Sequence, residues 1–287
     1  MKKEALWYEK LDNDIVHCHL CPHNCKIAEG KSGICKVRQN NKGTLYSLNY
    51  KKATSIAMDP MEKKPLYHFH PGKYILSIGT YGCNFRCGFC QNHEISQNTL
   101  SGQTLDVDEL IKICKSKPNC VGIAYTYNEP TIWYEFILEC AKKFKEADLA
   151  NVLVTNGYIN TEPLKELLPY IDAMNIDLKS MNDEFYKKIC GGKLEPIKNT
   201  IKEAIENCHV EITSLIIPTK NDSPDNMEQL SKWIASLNPD TPLHLSRYYP
   251  AYKMQIPPTN PMTLLELKDV ALQHLKHVYI GNVPGLR

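Results

Sequence analysis

From Lys73 onward, short apolar runs alternate with segments of helical spacing, and that alternation leaves few folds open. Runs at 74–78, 121–125, 151–155, 173–178, 209–217, 242–245 and 277–280 read as strands. Helices are expected over 105–114, 131–144, 162–168, 183–189, 196–207, 224–237 and 264–275. Six or seven β–α units in a row imply a parallel sheet with helices outside it. No Gly-x-Gly-x-x-Gly follows any of these strands, so a dinucleotide-binding sheet has no support. A full eight-unit barrel wants about 250 residues, more than residues 73–287 supply. The expected fold is therefore α/β, a partial (β/α)6 TIM-like barrel over 73–287. Residues 1–72 are richer in Cys, His, Lys and turn residues, with short strands at 45–48 and 55–58. They read as a small N-terminal Cys-rich metal-binding module.

The first predicted strand runs into Gly79-Thr80-Tyr81-Gly82 and then Cys83-Asn84-Phe85-Arg86-Cys87-Gly88-Phe89-Cys90-Gln91-Asn92. Three cysteines at Cys-x3-Cys-x2-Cys spacing can wrap one face of an iron–sulfur cube. Ferredoxin clusters use four thiolates; this loop supplies three. One iron is left open, as a catalytic zinc keeps an open position. In barrel folds the loops after the strands carry the chemistry. A chance spacing or a zinc knuckle is the bland alternative, and a knuckle would want a fourth ligand nearby.

A second set lies upstream, in Cys18-His19-Leu20-Cys21-Pro22-His23-Asn24-Cys25 and Lys31-Ser32-Gly33-Ile34-Cys35. Four cysteines within 18 residues form a complete ligand set. Structural zinc and a second [4Fe-4S] cluster both fit, and a reactive dithiol is the third option. The chain has 12 cysteines. The remaining five, Cys114, Cys120, Cys140, Cys190 and Cys208, are expected to be buried small hydrophobes.

The loop Cys83–Cys90, with Phe89 just before the last cysteine, resembles the signature of the radical S-adenosylmethionine (SAM) superfamily. Gln91-Asn92 resembles the His-Asn that follows it in pyruvate formate-lyase activating enzymes, which act on glycyl radical enzymes. The resemblance implies that Cys83, Cys87 and Cys90 hold a [4Fe-4S] cluster whose open iron SAM chelates. One electron would then cleave SAM to methionine and a 5′-deoxyadenosyl radical, the cofactors carrying the hard chemistry.

Further motifs stand at successive strand ends. Tyr127-Asn128-Glu129-Pro130 resembles the Gly-Gly-Glu-Pro that contacts the SAM amino group in this superfamily, with Asn128 in place of a glycine; the pair could also simply start a helix. Val154-Thr155-Asn156-Gly157 is similar to the Asp-Thr-Asn-Gly of the activating enzymes, with Val154 replacing the Asp; a plain Asn-Gly turn is the alternative. Asn175-Ile176-Asp177-Leu178-Lys179-Ser180-Met181-Asn182-Asp183 resembles their Leu-Asp-Leu-Lys-x-Met-Asn-Asp run. Asp177 and Lys179 share a face in a strand and by the resemblance could both face SAM. Near the end of the sixth strand, His244 and Arg247 are candidates, and a lone strand His is more often structural. The resemblance thus implies SAM contacts from Phe89, Gln91, Asn128, Glu129, Asn156, Asp177, Lys179 and Arg247.

The whole chain, both cysteine sets included, resembles the radical SAM enzymes of the AmmeMemoRadiSam system. Asp59-Pro60-Met61-Glu62-Lys63-Lys64-Pro65-Leu66-Tyr67-His68 and Tyr279-Ile280-Gly281-Asn282-Val283-Pro284-Gly285 carry that likeness. Such proteins often continue into a Cys-Pro-x-Cys segment; this sequence stops at Arg287 without one. The function implied is hydrogen abstraction from an unknown substrate, a protein glycyl site or a small molecule. The electron would come from a donor such as flavodoxin or ferredoxin. The alternative of a different class is a non-catalytic iron–sulfur or zinc protein for electron transfer or assembly, which has no use for the motifs at successive strand ends.

With 34 basic and 32 acidic residues the charge is nearly balanced, so nucleic acid is not expected as a partner. The start, Met1-Lys2-Lys3-Glu4, leads into no apolar h-region, and no run of 18 apolar residues exists to span a membrane. The cytoplasm is the expected compartment.

Overall fold

A computed structural model describes residues 2–285; Met1, Leu286 and Arg287 lie outside them. Seven parallel strands form one sheet: β2 (Tyr74–Gly79), β3 (Cys120–Tyr125), β4 (Ala150–Thr155), β5 (Ala173–Asp177), β6 (His209–Ile216), β7 (Leu243–Arg247) and β8 (Val278–Gly281). They lie in sequence order, each paired with the next. Strand β1 (Ser55–Pro60) joins the outer edge of β2 in antiparallel register, Ile56 opposite Ile78. The order runs from β1 to β8 without closing, which is the partial barrel expected, with six β–α units and a closing strand. The stretch expected to end the appended module thus supplies the barrel's edge strand instead. Its alternation was legible; which sheet it would join was not.

Six helices connect the parallel strands: α1 (Val107–Ser116), α2 (Tyr134–Glu146), α3 (Thr161–Leu167), α4 (Leu194–Ile205), α5 (Pro224–Leu237) and α6 (Pro261–Leu272). Their starts are chemically marked. Asp106, Ser223 and Asn260 each accept backbone N–H bonds at an N-terminus, and Pro224 and Pro261 occupy first-turn positions where no N–H is missed. The expected helix at 183–189 is instead a short α turn, Asp183–Phe185, running into a π turn, Tyr186–Cys190. π turns cluster at functional sites, and this one touches the cysteine loop.

The chain between β1 and β2 crosses the inner face of the sheet. Met61 and Leu66 pack there against Ile75, Ala124, Val152 and Ala173. The backbone N–H groups of Tyr67 and His68 then donate to the buried Glu211 carboxylate on β6, at 3.0 and 2.7 Å. His209 and His244 complete its partners, at 3.0 and 2.7 Å. Burial alone would raise the Glu211 carboxyl; the two imidazoles and two backbone donors overcome that and hold it at about 2, against an ordinary 4.5. A carboxyl depressed in the folded chain contributes stability above its unfolded value and loses it as pH falls through the folded value. The difference corresponds to about 3 kcal/mol. Stability should therefore decline between pH 4.5 and about 2, and in Glu211→Gln urea midpoints should lose much of that slope.

Residues before β1 form two small antiparallel sheets. One pairs Lys3–Glu4, Thr44–Ser47 and Arg38–Asn41; the other pairs Tyr8–Lys10, Val16–Cys18 and Lys26–Ile27. They dock on the barrel through buried polar contacts. The Arg38 guanidinium donates to Glu135 of α2 at 2.5 Å, and Asn160, after β4, is bonded to the carbonyls of His19 and Leu20.

Candidate active site

Strand β2 hands the chain to the cysteine loop at Gly82, which has φ +88°. A Cβ there would stand 2.7 Å from the carbonyl oxygen of Cys35 and 2.7 Å from Val37. Glycine therefore serves both the turn and a close approach of the two cysteine-bearing segments. The loop is then gripped from three sides. The Asn128 amide donates to the Gly82 carbonyl at 2.7 Å, and its oxygen accepts from the Thr80 N–H at 3.2 Å. Asn84 donates to the Tyr158 carbonyl at 2.7 Å and accepts from Asn156 at 2.9 Å. The N–H groups of Arg86 and Gly88 donate to the carbonyls of Cys190 and Ile189, at 2.8 and 3.2 Å.

Cys83, Cys87 and Cys90 are all unpaired thiols. Asn156 Nδ2 lies 3.9 Å from Cys83 Sγ, and Ser96 Oγ lies 3.2 Å from Cys90 Sγ. Burial raises the Cys83 and Cys90 thiols. Cys87 goes the other way, lowered first by a hydrogen bond from Cys190 and, against burial, by the Lys179 ammonium. Lys179 is 7% exposed and pairs with Asp177 at 2.7 Å. Burial works against its charge, but Asp177 and the neighbouring thiolates outweigh it and hold Lys179 protonated. Its Nζ also sits 5.9 Å over the ring of Phe89.

Cys83, Cys87, Cys90, Phe89, Asn156, Asp177 and Lys179 thus come together at the C-terminal ends of β2, β4 and β5. The others fall differently. Gln91 is exposed beside them. Asn128 spends its amide on the cysteine loop. Glu129 is 2% exposed; its oxygens accept from Thr131 N and Oγ1, Thr155 Oγ1 and Asn156 N, at 3.0, 2.7, 2.7 and 2.8 Å. Burial keeps its carboxyl raised despite those donors. Arg247 bonds the Thr259 carbonyl at 2.7 Å and the Tyr249 hydroxyl at 2.9 Å. Its partners Tyr249 and Asn282 line a cavity of about 400 Å³ together with Tyr67 and Gly281. His244 lies on the inner face of β7, on Glu211. Cys114 and Cys140 are buried and Cys120 and Cys208 half-buried. Cys190 is buried too, but against Cys87, a neighbour that its sequence position gave no periodic signal for. The glycines after it, Gly191-Gly192, were the available hint: a Cβ on Gly191 would meet Arg86 at 2.8 Å, and one on Gly192 would meet Phe85 at 2.3 Å.

The upstream set also converges. Cys18, Cys21, Cys25 and Cys35 line one closed cavity with Leu20, Ile27, Ile34, Arg38 and Ile132. None of the four is in a disulfide.

The donor chemistry suits an iron–sulfur cube at Cys83, Cys87 and Cys90: three free thiols on one loop, a buried cation to offset their charge, and no fourth protein thiolate in the motif. Comparison with known proteins shows what the chain is similar to. Over 290 aligned residues the chain is 45% identical to an uncharacterized protein of Methanocaldococcus jannaschii, covering 99% of this chain and 86% of that one. It is 29% identical to the pyruvate formate-lyase-activating enzyme of Clostridium pasteurianum, over 58% of this chain and 72% of that enzyme. The fold resembles that of Streptococcus suis SuiB bound to S-adenosylmethionine, with a TM-score of 0.59 at 14% identity, over 73% of this chain and 52% of SuiB. The model of the Radical SAM superfamily matches residues 77–234, more than half the sequence, and the chain belongs to that superfamily.

Proposed function

We propose that this enzyme cleaves SAM reductively at a [4Fe-4S] cluster held by Cys83, Cys87 and Cys90, and that the resulting radical abstracts hydrogen from a substrate bound above β7 and β8. The observation that carries the reading is the ion pair of buried Lys179 with half-exposed Asp177, set against Cys87 and Phe89. A protonated lysine with one carboxylate partner, at the mouth of a three-thiol loop, suits a carboxylate-bearing cofactor seated on the open iron. When bound, the cluster supplies the electron and SAM the radical. The chain's own groups bind and orient. Lys179 offers its ammonium to the SAM carboxylate, Asp177 an acceptor to its ribose, and Asn156 fixes the loop at Cys83. The bracing of the cysteine loop by Asn128 keeps that geometry stiff.

The cavity beside Arg247 has the volume of a small-molecule site. It favours a small substrate over a protein glycyl loop. The activating-enzyme relatives keep the glycyl site as the second reading. A one-electron donor of the flavodoxin or ferredoxin type is the expected partner. No helix among the described residues is long and apolar enough to cross a membrane, and the cytoplasm is the proposed compartment.

The test is anaerobic. Reconstituted with iron and sulfide, reduced with dithionite and given SAM, the enzyme should release 5′-deoxyadenosine. A cluster shown to be present and reduced, with no product at any SAM concentration, would count against the reading. Lys179→Met should raise the SAM KM at least tenfold, on the order of a lost charge-assisted hydrogen bond, while retaining iron. Unchanged KM would remove Lys179 from the SAM site.

A further inference from the structure

We infer that Cys18, Cys21, Cys25 and Cys35 hold a second [4Fe-4S] cluster, and that it exchanges electrons with the cluster at Cys83, Cys87 and Cys90. The electron-exchange half rests on the function proposed above; the ligand half stands without it.

Spacing argues against a single tetrahedral ion. A tetrahedral zinc with Zn–S bonds of about 2.3 Å draws its thiolates to about 3.8 Å of one another, and a disulfide closes to about 2.05 Å. Among the described residues, no three of these four sulfurs lie within 4.8 Å of one another. In a cube each thiolate sits on a different iron at a different corner, so the ligands stand farther apart than around one ion. Cys83, Cys87 and Cys90 provide an internal reference, because they too are wider than that limit. Compact sets do form in this fold: Glu9, His17 and His19 bring three ligand atoms within 4.8 Å.

The surroundings fit a buried anionic cluster. Apolar side chains form most of the wall, and Arg38 lines the same cavity. Its guanidinium is 1% exposed, and its Nε finds no hydrogen-bond partner in the protein. An unpartnered buried N–H is costly; a thiolate or sulfide of a cluster in this cavity would be an acceptor for it.

The two sites share a wall one residue thick. Cys35 presents its carbonyl to Gly82, the neighbour of Cys83. His23, between Cys21 and Cys25, is 2.7 Å from the Asn84 carbonyl through Nε2. Asn84 follows Cys83 and bonds Asn156, which touches Cys83 Sγ. The exchange is a single electron. The upstream cluster goes from its reduced to its oxidised state as the SAM cluster goes from oxidised to reduced. An external one-electron donor refills the first.

Three variants of the full chain test this anaerobically: Cys83→Ala/Cys87→Ala/Cys90→Ala, Cys18→Ser/Cys25→Ser, and wild type. Metal and sulfide analysis should find two cubes' worth of iron in the wild type and one in each variant. One zinc per chain in the first variant, without iron, would overturn the cluster assignment whether or not SAM is cleaved. Electron paramagnetic resonance of the reduced wild type should show a broadened, spin-coupled signal that sharpens to an isolated cluster in each variant. A wild-type spectrum equal to the sum of the two variants would overturn the exchange. If Cys18→Ser/Cys25→Ser fails to fold, the wild-type metal count and the first variant still decide the assignment. The half-reduced wild-type spectrum on titration then decides the exchange.

Discussion

Cys87→Ala should release no 5′-deoxyadenosine above the blank under conditions in which the wild type does. Cys87 is the most deeply engaged of the three loop thiols. It takes a hydrogen bond from Cys190, feels the Lys179 ammonium, and is the one whose thiolate these neighbours favour. Thiolate, not thiol, is the metal ligand, so this position is the one best prepared to bind iron. Its loss also leaves Lys179 with one fewer negative neighbour in a buried setting. The comparison Cys190→Ala should be milder: the cluster assembles but is lost faster on dilution, because an outer-shell partner tunes rather than ligates. Product from Cys87→Ala at more than a trace level, with iron bound, would mean that the cluster is held elsewhere.

Glu129→Ala should cost about 3–5 kcal/mol of stability, read as a shift in urea midpoint. Its carboxylate gathers four donors from the loops after β3 and β4 with almost no solvent to replace it. Truncation strands the Thr131 and Asn156 N–H groups and two hydroxyls at once. Glu129→Gln keeps one acceptor but turns an NH2 toward a donor, so it should fall between. A shift below about 1 kcal/mol for Glu129→Ala would show that water or a neighbouring group replaces the carboxylate. SAM cleavage should fall in both variants in step with the order of the Asn156 loop.

Much of this architecture was legible beforehand because parallel strands buried on both faces leave dense apolar runs. Each of the seven predicted strands lies within a residue or two of its observed place, and the helix read at 224–237 is Pro224–Leu237. What was missed has local causes. Strands of two or three residues before β1 are too short to show a period, and Ser55–Pro60 alternates without stating its partner. The 183–189 segment has helical composition, but Asn182 caps it, Asp183 accepts from Leu194 N–H, and the chain relaxes into a wider turn that delivers Cys190. The site motifs told which residues would gather, since their spacing at strand ends is fixed by the barrel. They could not tell which would be consumed by scaffolding. Asn128 and Glu129 are read as ligand contacts from sequence, and their hydrogen bonds run to the protein.

That scaffolding bears on how the enzyme is loaded. Asn128, Asn84, Asn156 and the carbonyls of Ile189 and Cys190 brace the Cys83–Cys90 loop through bonds between protein groups. Many small metal domains fold only as their ion arrives; here the cysteine loop is also braced by hydrogen bonds from the barrel. Insertion of the cube becomes a docking step onto a finished surface. A chain stripped of its iron by oxygen should therefore keep its fold and be refilled in place, with recovery after oxidative exposure limited by iron and sulfide delivery rather than by refolding.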